Sequence, residues 1–183
     1  MARGDSVRCL TIDECKQWRT DFSRRRGWKR QVTCVTPLKR LSWFTNVLLE
    51  HLLPFDMALL MIDQVVFDVP PELEFIRRTA GEPRPLIEVP GLLFENDHEG
   101  FRAALEAALS GWIDLRAVFA PSQRALRADH DEFTTFFSLS SGKIADLRNV
   151  FIKGDVSIVQ YTRGPNPPLE PTAEKCGDSA ASR

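Results

Sequence analysis

Between Pro54 and Val69 the chain reads Pro-Phe-Asp-Met-Ala-Leu-Leu-Met-Ile-Asp-Gln-Val-Val-Phe-Asp-Val, with an unbroken apolar run from Met57 to Ile62. A run of that length is what a strand covered on both faces requires. Val65, Phe67 and Val69 continue the apolar pattern on one side, with Asp68 on the other. As a single strand the whole stretch would span on the order of 50 Å, against the usual ~17–20 Å. Its path must therefore break or bulge, and the polar pair Asp63-Gln64 is the place.

At 183 residues the chain is long enough for one domain, which at that size buries roughly 70% of its unfolded surface. A hydrophobic content of 43% suits a folded globule. The net charge of −1 supplies no global field toward nucleic acid or a membrane. Charge is nonetheless uneven: residues 1–40 hold eleven Lys/Arg against four Asp/Glu, and the remainder thirteen against twenty-one. Cys9, Cys15, Cys34 and Cys176 form no Cys-x-x-Cys pair, which favours scattered thiols in a reducing compartment over a disulfide frame. Residues 1–6 lack the apolar core of a signal peptide, and no apolar run approaches the ~20 residues that span a bilayer. The expected location is cytoplasmic.

Residues 1–9 carry no periodic signal and are expected to be loose. Thr11-Ile12-Asp13-Glu14 is a capping box, followed by Ile12, Cys15, Trp18 and Phe22 at helical spacing. Arg24, Arg25 and Arg26 favour the negative end of that helix and Gly27 closes it. Residues 28–35 read as a strand with Val32 and Cys34 on one face. Thr36 and Pro37 open a second helix as cap and first turn, with Leu41, Phe44, Leu48 and Leu52 as its buried stripe. After the central run, Pro70-Pro71-Glu72 starts a short helix with acids in front and Arg77 and Arg78 behind.

Residues 86–89 are expected to form a short strand ended by the Pro90-Gly91 turn signal. Asn96 and Glu99 make a second capping box, before a helix through Phe101, Ala104, Leu105 and Ala108 that Gly111 stops. Residues 113–119 alternate as a half-buried strand, and 133–139 give another. Between them, residues 121–131 suggest no more than a helical turn. Residues 141–153 read as helix and 156–161 as a last strand; from Gly164 onward the prolines and small polar residues describe a disordered tail. The expected fold is α/β or α+β: one domain over residues 10–163, with a mixed sheet of about five strands flanked by helices.

From Met57 to Phe137 the order of landmarks resembles that of a group of small bacterial proteins without assigned activity. The shared features are the Ala-Leu-Leu-Met-Ile strand, the helix start at Pro70, Val89-Pro90-Gly91-Leu92-Leu93-Phe94, Gly111-Trp112 and His130-Asp131-Glu132-Phe133. The resemblance implies a bacterial, cytoplasmic, folded domain. The segment Asn166 to Lys175 looks like endings of small open reading frames beside bacterial repeats or mobile cassettes.

Two His-carboxylate clusters, Asp97-His98-Glu99 and Asp129-His130-Asp131-Glu132, have the residue types for a transition metal or a histidine base. Neighbouring residues on one element diverge, so a metal held by His98 and His130 requires the clusters to meet. The plain alternatives are a helix cap for the first and a solvated turn for the second. Asp63 at a strand end is the third candidate, since ligand crevices form beyond strand ends in open sheets; its plain role is to mark a bulge. Arg24, Arg25 and Arg26 with Trp18 and Trp28 are candidates for phosphate contact and base stacking, although Asp13, Glu14 and Asp21 dilute that charge and nucleic acid is not the expected partner. Phosphate-binding glycine motifs and the nucleophile elbow are absent, and Cys34 lacks an evident partner for thiol catalysis. No cofactor is indicated. The leading expectation is a protein that acts by binding a macromolecular partner, possible partners including another protein; the alternative is a small-molecule enzyme with a site near Asp63 and His130.

Overall fold

A computed structural model describes residues 7–23, 30–122 and 124–159. Along the chain the elements are β1 (Val7–Leu10), α1 (Ile12–Ser23), β2 (Gln31–Val35), a 3₁₀ turn (Leu38–Arg40), α2 (Leu41–Leu52), β3 (Met57–Gln64), α3 (Pro71–Thr79), β4 (Gly91–Glu95) and α4 (His98–Ser110). They continue with β5 (Asp114–Ala120), β6 (Arg124–Ala128), β7 (Phe133–Ser138), α5 (Ser141–Lys153) and β8 (Ile158–Val159).

The apolar run is the inner strand it was expected to be. β3 lies between β4 and β5 in one eight-stranded sheet of order β1-β4-β3-β5-β6-β7-β2-β8. Ala58, Leu59 and Leu60 are fully buried because both faces of the strand are covered. The break also falls where the polar pair stands: the β3–β5 register shifts between Ile62 and Gln64, leaving Asp63 as the bulged residue.

Side chains alternate between two cores. On one face Val32, Cys34, Leu60, Leu92, Phe94, Ala117, Phe119, Leu126 and Phe136 meet the inward residues of α2, α3, α4 and α5. Phe101 of α4 is the hub there, edge-on to Phe55, Phe94 and Phe119 with ring centroids 5.8, 5.8 and 5.2 Å away. Each such pair contributes about 0.5–1.5 kcal/mol beyond its burial. On the other face Leu59, Met61, Leu93, Val118, Ala125 and Phe137 form a smaller cluster with Leu10, Cys15 and Trp18. α1 reaches that sheet face because Gly91 has no side chain. A Cβ there would stand 2.4 Å from Cys15 Sγ.

Several expectations are corrected. Among the described residues the sheet has eight strands rather than about five, and every pairing is antiparallel rather than mixed. Val7, Arg8 and Cys9, expected to be loose, form the edge strand β1 against β4. Residues 86–88 form a turn, and the strand follows at Gly91–Glu95. Residues 124–128 are the strand β6, ladder-paired on both sides. Thr36 does not cap a helix: its hydroxyl meets that of Thr134 at 2.8 Å, and the chain enters α2 through a 3₁₀ turn. Asp97, not Asn96, caps α4 by accepting from the Gly100 N–H at 2.9 Å, while Asn96 takes a left-handed φ of 51°. The first capping box forms as expected, with Thr11 N–H donating to Glu14 Oε2 at 2.8 Å. The expected closure of α1 by residues 24–27 and the tail from 164 onward lie outside the described residues.

Candidate functional site

The clusters named from sequence do not converge. His98 opens α4 and donates through Nε2–H to the Phe55 carbonyl at 2.9 Å, its ring edge-on to Phe55. This is beside the first residues of β3. His130 follows β6 and joins Asp114, which pairs with the last residue of β3, Gln64. The length of β3 separates them, roughly 23 Å at ~3.3 Å per residue, so they cannot share a metal ion. Among the described residues no group of three or more His, Cys, Asp and Glu side chains is placed to hold one.

The second cluster is the β6–β7 connection. Asp129 N–H donates to the Phe133 carbonyl, and Phe133 N–H donates back to the Asp129 carboxylate at 3.1 Å. Burial pushes the Asp129 carboxyl up. Glu132 turns the corner at φ 69°, its carbonyl accepting from Thr36 N–H at 2.7 Å. Asp114 Oδ1 accepts from both the backbone N–H and the Nδ1–H of His130, at 2.6 and 2.9 Å. That hydrogen bond raises the His130 pKa above its ordinary 6.5. Asp63 is engaged as well: its two oxygens take the Arg116 guanidinium side-on at 2.6 and 2.9 Å. Asp114 and Arg116 are two apart on β5 and share a face, so the structure places Asp63 and His130 at one end of the sheet, each tied to β5. The cavity beside this end, lined by Thr36, Trp112, Asp129 and Glu132 among others, measures about 10 Å³, room for about one water.

Cys34 is fully buried and its thiol is pushed up to about 12 by burial alone, with its S–H directed at the Thr134 carbonyl. A thiol that does not ionise near neutral pH is no nucleophile. Arg24, Arg25 and Arg26 lie outside the described residues.

A larger concave surface lies elsewhere, in the helical layer. α3 turns Leu73 and Arg77 into the core, both essentially buried. Phe75, two residues from each, must then point away, since a helix turns ~100° per residue; it is 70% exposed. Phe75, Ile76, Pro71 and Glu72 of α3 line a trough of about 700 Å³, α4 supplies Ala103, Ala107, Arg102, Glu106 and Ser110, and Leu41 of α2 joins them. Beyond Ser110 a shallower hollow continues over Gly111 and Trp112 to Phe67, itself 67% exposed. On the rim, Arg102 donates to Glu99 at 2.9 Å and to Glu106 at 2.8 Å, and these carboxylates raise the guanidinium pKa. Sequence reasoning missed this surface. The available signal was Phe75, an aromatic residue that cannot share a helical face with Leu73.

Scans against family models, curated proteins and solved structures found no match for this chain. No helix among the described residues is long and apolar enough to cross a membrane.

Proposed function

We propose that this protein acts by binding a macromolecular partner through the trough between α3 and α4. The observation that carries it is Phe75, a large aromatic side chain 70% exposed on the wall of an apolar trough. Contiguous exposed apolar surface rimmed by polar residues is a mark of interaction sites. The central polar groups of the trough's lining, Arg102 and Glu106, are bonded to each other. The uneven charge along the chain suits electrostatically steered association. The test is affinity capture from a bacterial lysate, with and without nuclease, using the full chain and its Ala103→Trp variant. The reading expects a macromolecule retained by the parent chain and lost from a variant whose melting curve is unchanged. Equal retention by both would place the contact elsewhere.

A second reading, catalysis on a small molecule near Asp63 and His130, draws on the hydrogen bond that orients the His130 imidazole through Asp114. A carboxylate-oriented imidazole can serve as a general base. The small adjoining cavity and the engagement of Asp63 by Arg116 favour a structural role for both residues.

A further inference from the structure

Resting on that binding reading, we infer that the trough between α3 and α4 takes an amphipathic helix of another protein, with an apolar stripe flanked by Lys and Arg. The shape argues for a helix. Both long walls are helices whose backbone groups bond internally, so they offer no free edge for strand addition. Ala103 and Ala107 stand one turn apart on α4 and keep the floor low. Phe75, Ile76 and Leu41 are the larger apolar side chains of the lining. Large side chains spaced three or four residues apart on a third helix would enter between these walls, as ridges enter grooves.

The charge on the rim argues for the flanks. Glu72 lines the α3 side and Arg102 and Glu106 the α4 side, and Arg102 is committed to Glu106 and to Glu99, which stands beside the lining on the same helix. Three carboxylates therefore stand against one guanidinium. Glu106 also accepts from the Thr45 hydroxyl at 3.2 Å, which holds its carboxylate in place on the rim. Lys or Arg beside the apolar stripe would meet Glu72 on one side and Glu106 on the other, whereas acidic flanks would meet like charge at both.

The test uses three labelled peptides of ~18 residues, about five helical turns, with one shared Leu/Ile stripe and Lys, Gln or Glu flanks. Binding is read by fluorescence anisotropy with the full chain, at ~50 and ~300 mM salt to vary screening. The expected order is Lys over Gln by about tenfold, with Glu weakest, and a Lys advantage that shrinks at high salt. Ala103→Trp should weaken the Lys peptide at least tenfold. Glu72→Lys, a change at an exposed position that does not threaten folding, should reduce the Lys-over-Gln ratio. If the Gln peptide binds as well as the Lys peptide and Ala103→Trp weakens both, the inferred charge class is wrong and the trough reading survives. If no peptide binds, the inference fails, while the capture experiment with the parent chain and Ala103→Trp decides the trough reading on its own. Light scattering of the chain alone covers another occupant: a dimer that Phe75→Asp converts to monomer would assign the trough to a second copy and overturn the inference.

Discussion

Asp114 holds His130 twice through one oxygen, accepting from its backbone N–H at 2.6 Å and from its Nδ1–H at 2.9 Å. A carboxylate can only accept, so the bond fixes the proton on Nδ1 and leaves Nε2 to titrate. The bond favours the imidazolium and raises the His130 pKa above 6.5, against an opposing contribution from burial. A group whose folded pKa is raised stabilises the fold fully below its unfolded value, and this is lost as pH rises through the folded value. Asp114→Asn should move the His130 midpoint down, measured by NMR titration of the ring carbons. The stability gap between parent and variant should narrow as pH rises above about 6.5. An unchanged midpoint would mean that the hydrogen bond does not persist in solution. With a side chain 39% exposed, solvent screens the effect, so the titration is the sharper measurement.

Leu60 is fully buried near the middle of β3, among the helix-covered residues of the sheet. Leu60→Ala removes transfer energy and leaves a cavity, and should cost about 2–5 kcal/mol in urea unfolding. A loss below about 1 kcal/mol would contradict a packed inner strand.

Gly91 makes the close approach of α1 to the sheet possible. Gly91→Ala would place a Cβ 2.4 Å from Cys15 Sγ and 2.9 Å from Leu10 Cβ. The collision should cost about 1–3 kcal/mol and loosen α1 first, seen as faster amide exchange over residues 12–18. Restoring stability with Cys15→Ala in the same chain would identify the sulfur as the obstacle.

What could be read from the sequence was what local chemistry decides. The capping box at Thr11 and Glu14, the stop at Gly111 and the inner strand at Met57–Ile62 each rest on neighbouring residues. β6 was illegible because Arg124-Ala125-Leu126-Arg127-Ala128 has little β preference of its own; its conformation comes from ladders on both sides. β4 hid behind Pro90-Gly91, whose dipeptide signals a turn although Gly91 already pairs with Leu10 and Met61. The trough was less legible still. Phe75 and Ala103 face each other only because α3 and α4 are packed side by side, and no local pattern records that. Asp63 and His130 were separate candidates in the sequence, and no local pattern recorded that Arg116 and Asp114 would tie both to β5.

Arg124 carries the last prediction because it closes a helix from a distance. Its Nη1 donates to the carbonyls of Leu52 and Leu53 at 2.5 and 2.6 Å, where α2 ends. Those carbonyls have no partner within the helix, and the helix dipole places partial negative charge on them. Burial lowers the Arg124 pKa, so the side chain gives up part of its hydration to make the contact. Arg124→Met keeps the length and apolar stem of the side chain and removes the donors. Each charge-assisted bond is worth about 1.5–3 kcal/mol in general, but the dehydration of the guanidinium offsets part of it. The net loss should therefore be about 1–2 kcal/mol in chemical unfolding. Arg124→Lys should recover only part of it, since one ammonium lacks the planar fork of a guanidinium. Amide exchange should quicken in the last turn of α2 ahead of the sheet. A variant as stable as the parent would mean that water satisfies the Leu52 and Leu53 carbonyls equally well, leaving Arg124 no part in ending the helix.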